Sequence, residues 1–158
     1  MKKRIFTIVF ISIIVLSDQI SKYLINRYLN LHDSLIIIKN FFKFTNSHNN
    51  GAAYGILSGK MWLLVFISCF VFVYLVQEMR KNTNKQLHIS YCMIVGGLIG
   101  NLIDRVVLGY VRDFISFTIF GHEAAIFNIS DMFIFLGVVF MFFIFLREDY
   151  EKNRSWGK

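Results

Sequence analysis

The chain has 158 residues, 56% of them hydrophobic, with 18 Phe and no Pro, and its mean hydropathy is +0.55. That is far more apolar than a water-soluble domain of this length needs, and it points to an integral membrane protein. A net charge of +7 would suggest nucleic acid in a soluble chain, but here the basic residues gather beside the ends of apolar runs, so they report membrane orientation and no nucleic-acid partner is expected.

A helix needs about 20 largely apolar residues to cross a hydrocarbon layer about 30 Å thick. The apolar runs are Ile5 to Leu16, extended past Asp18 by Ile20, Tyr23, Leu24 and Ile25, then Met61 to Val76, Ile89 to Leu108, and Phe127 to Leu146. They predict an all-α membrane protein: four transmembrane helices, roughly 5–25, 61–79, 88–108 and 127–147, in a single integral membrane domain with an outer loop at 26–60. Lys2, Lys3 and Arg4 ahead of the first run give it the look of a signal peptide, but no small-residue cleavage site follows and three more spans do, so it is expected to stay attached.

Within the outer loop, Leu35 to Thr45 is β-prone and predicts a small sheet on the outer surface. With Lys39 and Lys43 interspersed, it suits an amphipathic platform at headgroup level or a plain extracellular hairpin. The turn Asn49-Asn50-Gly51-Ala52-Ala53-Tyr54-Gly55 combines turn formers and small residues, so its backbone can approach a partner closely. Arg80 to Gln86 reads as a short cytoplasmic turn, and Gly96, Gly97 and Gly100 allow close helix packing in lipid. With four alternating spans, Lys2, Lys3, Arg4, Arg80, Lys81, Lys85, Arg147, Lys152, Arg154 and Lys158 fall on one side, which places both termini in the cytoplasm. Arg27, Lys39, Lys43, Lys60 and Arg112 fall on the other.

Cys69 and Cys92 lie inside apolar runs, and His32, His48, His88 and His122 are scattered without ligand spacing, so no metal and no cofactor is expected. The polar residues of the spans converge instead. Asp18, Lys22, Asn101, Asp104, Arg105, Asp113, Asn128 and Asp131 all fall near the outer boundary, while the cytoplasmic halves are almost purely apolar. Ionisable groups at that depth are costly and usually face a cavity or one another.

Asp18 and Lys22, at i and i+4, share a helix face and can form a purely structural pair. Asn101, Asp104 and Arg105 place an amide, a carboxylate and a guanidinium on one face of the third helix, where Arg105 is equally suited to a neighbouring carboxylate or to a substrate carbonyl. Asp113 follows the third span and Asp131 opens the fourth, so they reach the same membrane face although 18 positions separate them. Neither has a helical cation partner, and Arg112 points away from Asp113 in an extended segment. Two carboxylates brought close cannot both ionise cheaply. One keeps a proton to donate to a carbonyl oxygen while the other activates water, which is peptide hydrolysis without a metal. The bland alternative is that Asp131 caps the fourth helix and Asp113 a loop. Ser58 and Lys60, at i and i+2 on a loop, support a serine mechanism only weakly, and no G-x-S-x-G is present.

The blocks Asp18-Gln19-Ile20-Ser21-Lys22, Asn49-Asn50-Gly51-Ala52-Ala53-Tyr54, Gly96 through Arg105, Gly109-Tyr110-Val111-Arg112-Asp113-Phe114 and Phe127-Asn128-Ile129-Ser130-Asp131 resemble, in order and spacing, those of the lipoprotein signal peptidases, the type II signal peptidases of bacteria. The resemblance spans nearly the whole chain. It implies a four-helix membrane aspartyl endopeptidase with a small extracytoplasmic β-cradle, a monomer in the bacterial cell membrane with its active site near the outer face. Its substrate would be a prolipoprotein whose lipobox Cys carries a thioether-linked diacylglyceryl group, and cleavage just before that Cys would release the signal peptide. Asp113 and Asp131 match the family's catalytic dyad. Asn49, with Gly51 of the same turn, and Asn101, Arg105 and Asn128 match the substrate-binding wall, and Asp18, Lys22 and Asp104 match supporting polar positions. The chain departs from the family at Ser130, usually Ala, at Arg112, often Val, and at Tyr54, commonly Phe or Trp. An Arg112 folded back on the dyad would lower a carboxyl pKa and change which Asp holds the proton.

Two readings from other classes compete. A proton- or ion-coupled transporter would use the buried carboxylates as a relay, but it lacks an internal repeat and a polar path through the apolar cytoplasmic half. A structural membrane subunit would not need so many convergent ionisable residues.

Overall fold

A computed structural model of the chain describes residues 2–51 and 57–156; Ala52, Ala53, Tyr54 and Gly55 of the loop, and Lys158, lie outside the described residues. Along the chain run α1 (Lys2–Tyr28), β1 (Ser34–Ile38), β2 (Phe42–Asn49), α2 (Met61–Lys81), α3 (Lys85–Leu108), β3 (Val111–Ile119), β4 (His122–Glu123) and α4 (Ile129–Trp156). All four helices are long and apolar enough to cross a membrane, and the strands form one antiparallel sheet in the order β1-β2-β3-β4. The fold is therefore the expected helical membrane bundle with a small sheet.

The helices overrun their apolar cores because backbone hydrogen bonding continues into water when side chains support it. In the last turns of α4, Arg147 Nε donates to Glu151 at 2.8 Å and Asn153 Nδ2 to Asp149 at 3.2 Å, both at i, i+4 spacing. The connection between α2 and α3 is shorter than the Arg80–Gln86 turn read from sequence, because Asn84 starts α3 by accepting the Gln86 and Leu87 amides on its side chain. Gly109 ends α3 at φ 79°, a left-handed cap that turns the chain directly into β3. At the other junction Phe127 is extended rather than helical. Its N–H donates to Ile115 O at 3.0 Å and its carbonyl accepts from Ile115 N at 2.8 Å, so pairing to β3 holds α4 back to Ile129.

The third helix is the hub. Half of its apolar window is buried, against 17% for the other three, and it packs on all of them. Leu87, Tyr91, Ile94 and Val95 form its buried stripe, met by Leu75 of α2 and Ile144 of α4. Phe66, Phe70, Phe142 and Phe143 point outward and stay exposed, as suits helices whose solvent is lipid. Close approach of α3 to α4 depends on two glycines. A Cβ on Gly97 would strike the Ser130 carbonyl and lie 2.7 Å from Ile134 Cγ1, and one on Gly100 would strike Ser130 Oγ and lie 2.7 Å from Asp18 Oδ2.

The sheet is tied to α1 through an irregularity in β2. The register shifts between Phe44 and Ser47, which lets the buried Asn46 reach Asn26 Oδ1 at 3.1 Å and Leu29 O at 2.9 Å. Beyond it Ser47 sits opposite Asp113 and Asn49 opposite Val111. Along β1, Leu35, Ile36, Ile37 and Ile38 are all exposed.

Gly97→Ala should lower stability by about 1–3 kcal/mol, the range for overpacking a tight contact. Thermal unfolding in detergent checks it, with Ser12→Ala on the exposed face of α1 as the neutral control.

Candidate active site

Strand β3 delivers Asp113 and the first turn of α4 delivers Asp131. Both line one cavity of about 430 Å³ with Asn49, Asn101 and Arg105, closed on its apolar side by Val111, Phe127, Ile134, Phe135 and Val138. Asp113 is 3% exposed. Burial first, and then the neighbouring Asp131, push its carboxyl up to about 7 against the opposing hydrogen bonds of Asn49 and Asn128.

Three asparagines grip the two acids. Asn49 Nδ2 donates to Asp113 Oδ2 at 2.9 Å, Asn128 Nδ2 to Asp113 Oδ1 at 2.6 Å, and Asn101 Nδ2 to Asp131 Oδ1 at 2.7 Å. In each amide the oxygen is claimed by a group that can only donate, which decides which way the amide faces. Asn49 Oδ1 accepts the Gly51 N–H at 2.9 Å, Asn101 Oδ1 accepts Lys22 Nζ at 3.0 Å, and Asn128 Oδ1 accepts the Asp131 N–H at 2.9 Å. Asn128 also gives its second amide proton to Asn101 Oδ1 at 3.1 Å, so one side chain connects both acids.

Asp131 meets its bland reading as well. Its Oδ2 accepts the Asn128 N–H at 3.3 Å while Asn128 Oδ1 accepts the Asp131 N–H, a reciprocal cap on the start of α4. Capping and cavity lining are compatible here, because the other carboxylate oxygen faces Asn101.

Behind the cavity lies a buried ionic cluster. Lys22 Nζ is 2.7 Å from Asp18 and 3.4 Å from Asp104, with all three side chains fully buried. Asp18 Oδ1 accepts the Ser130 N–H at 2.9 Å, which ties α1 to the start of α4. The Asn101, Asp104 and Arg105 group of α3 divides: Asn101 and Arg105 line the cavity, whereas Asp104 turns to Lys22, Gln19 and Arg112. Arg105 lines the cavity with both acids, and its Nε is buried without a hydrogen-bond partner. Arg112, adjacent to Asp113 on a strand, faces the other way and pairs with Asp104 at 2.7 Å.

Sequence reasoning missed Gln19, whose amide nitrogen donates to Gly100 O and to Asp104 at 3.1 Å each, and the Ser130 N–H. Gln19 sits inside the Asp18–Lys22 block, and that position was its only signal. Gly51 acts through Asn49 and lines a second, polar cavity of about 320 Å³ with Ser47, Ser58 and Asp113. His48, stacked on Tyr110 at 3.8 Å, has its imidazole pushed down by burial, with His32 and Arg112 adding to the effect. Among the described residues no cluster of His, Cys, Asp or Glu could hold a metal ion.

The family model described as Signal peptidase (SPase) II matches residues 10–147. The chain belongs to the signal peptidase II family. The chain is 36% identical over 144 residues to the lipoprotein signal peptidase of Staphylococcus aureus strain MRSA252, an alignment covering 90% of this chain and 88% of that protein, and it matches the strain JH9 protein equally well. A solved bacterial membrane enzyme, determined by the in meso method at 2.3 Å resolution, superposes with a TM-score of 0.88 at 36% identity, over 93% of this chain and 91% of that one. A second, at 1.9 Å resolution, superposes with a TM-score of 0.82 at 36% identity, over 89% and 92%. The chain is thus a multi-pass membrane protease.

Lys22→Met would leave Asp18 and Asp104 buried without their shared cation and should cost about 3–5 kcal/mol. The midpoint of denaturation in detergent reads the loss, and a midpoint equal to the wild type would show that the pair adds nothing.

Proposed function

We propose that this chain, as a single integral membrane domain, removes the signal peptide from diacylglyceryl-modified prolipoproteins, cleaving before the lipidated Cys, with Asp113 and Asp131 as a catalytic dyad. The observation that carries the reading is the shared cavity, in which both carboxylates lie against one apolar wall and each is gripped by its own asparagine.

The two acids hold one proton between them and titrate as a coupled pair. The ionised member takes a proton from water as the oxygen attacks the scissile carbonyl, and the neutral member protonates the carbonyl oxygen, giving a tetrahedral diol. As the C–N bond breaks, one hydroxyl returns its proton to the dyad and the leaving amine of the Cys gains one, which restores the starting state. Arg105, whose side chain lines the cavity beside both acids, is the donor for the substrate backbone. Asn49, Gly51, Asn101 and Asn128 complete the binding wall, and Asp18, Lys22 and Asp104 hold it in place.

The apolar wall of Phe127, Ile134, Phe135 and Val138 suits a signal helix lying in the bilayer. Positive-inside bias puts both termini in the cytoplasm and the sheet and dyad near the outer face, where a lipidated Cys sits and water still arrives. The chain works as a monomer and needs no cofactor. No observation favours the transporter reading, because the buried charged residues Asp18, Lys22, Asp104 and Asp113 collect at one end of the bundle.

Asp113→Asn and Asp131→Asn, each assayed on lipid-modified prolipoprotein in detergent, should lose about 10²–10⁴-fold in rate. Folded variants cleaving at the normal rate would remove the dyad from the reaction. The wild-type rate should fall as pH rises through about 7, where the dyad gives up its shared proton. Prolipoprotein without the diacylglyceryl group should be cleaved at least about tenfold more slowly, since remote binding energy drives the chemical step; equal rates would sink the lipid requirement.

A further inference from the structure

We propose that Arg112 is a positioning residue for the dyad, acting through Asp104 to keep the Lys22 ammonium on Asn101 and so hold the amide that grips Asp131. The proposal deepens the protease reading and rests on it.

A lysine ammonium has three protons, and Lys22 has three acceptors: Asp18 Oδ2 at 2.7 Å, Asn101 Oδ1 at 3.0 Å and Asp104 Oδ2 at 3.4 Å. Asp104 is the longest of the three because it is already served. Arg112 reaches it through the backbone N at 3.0 Å, Nε at 3.2 Å and Nη2 at 2.7 Å, and Gln19 adds a fourth donor at 3.1 Å. Gln19 in turn accepts from Arg112 Nη2 at 2.9 Å, which fixes the guanidinium from the α1 side. Remove the guanidinium, and Lys22 becomes the one cation in contact with two buried carboxylates. The ammonium is drawn toward Asp104 and away from Asn101 Oδ1. Of the two donors on Asn101 Oδ1, only Asn128 Nδ2 at 3.1 Å then remains, so the amide that grips Asp131 Oδ1 is held less firmly.

The same change alters the field at the acids. Asp18 and Lys22 face the cluster from α1, Asp104 and Arg105 from α3, Arg112 and Asp113 from β3, Asp131 from α4, and His48 from β2, so Asp18 and Asp104 are balanced by Lys22 and Arg112. Losing one positive charge makes the shared proton harder to remove, and the alkaline limb of the rate profile moves to higher pH.

The test compares the wild type, Arg112→Met and Arg112→Lys on lipid-modified prolipoprotein, measuring kcat, KM and the pH profile. Arg112→Met should lose about tenfold in kcat, the scale of a small misplacement, with KM within about twofold and the alkaline limb displaced upward. Arg112→Lys should restore the limb, because charge returns, and recover only part of kcat, because the forked contact does not. Wild-type kcat and limb in Arg112→Met, a loss confined to KM, or Arg112→Lys no better than Arg112→Met would each overturn the proposal. If Arg112→Met fails to fold, Gln19→Leu keeps the charge but frees the guanidinium, and it should lower kcat without moving the limb; an unchanged kcat overturns the proposal. Asp113→Asn and Asp131→Asn run alongside: if both still cleave, the protease reading has failed, whereas inert Asn variants beside a normal Arg112→Met defeat the Arg112 proposal alone.

Discussion

Everything in the cavity depends on amide groups whose direction is imposed from outside it. A carboxamide left to itself can present oxygen or NH2 to a carboxylate, and the wrong face would repel it. Here a lysine ammonium and two backbone N–H groups occupy the three asparagine oxygens, so each NH2 is left facing an acid. The arrangement costs little reorganisation, because the donors belong to a helix start, a turn and a buried ion pair that the fold makes anyway. In a low-dielectric interior an unmade polar contact is expensive, which turns a small set of hydrogen bonds into a strong geometric constraint.

The sheet brings the two acids together across a gap in sequence. Asp113 lies early in β3, and the same strand pairs through Ile115 with Phe127, immediately ahead of α4. That bridge sets where the helix begins, and the helix start sets Asp131. A strand and a helix cap are rigid in ways that a long loop is not, so the intervening residues need only return the chain to the same edge.

The spans were legible because about 20 apolar residues have few other uses, and the acid, amide and cation blocks were legible because such groups are rare in lipid. Contacts between elements were not. The pairing of Arg112 with Asp104 depends on how β3 leaves α3 at Gly109, and the Gln19 bridge depends on how closely α1 crosses α3 at Gly100. Phe127 shows the limit most clearly. Its apolar side chain fits the hydrophobic run that follows, so composition assigns it to the helix, but its backbone groups have partners on a strand.

The third helix carries two burdens, one in its first half and one in its second. Its Leu87–Val95 stripe is the surface on which α2 and α4 rest, and its next turns supply Asn101, Asp104 and Arg105. A bundle built this way has no separable scaffold: whatever prises the hub from its neighbours also scatters the amide and guanidinium at its outer end, and a partly melted molecule is already a silent one.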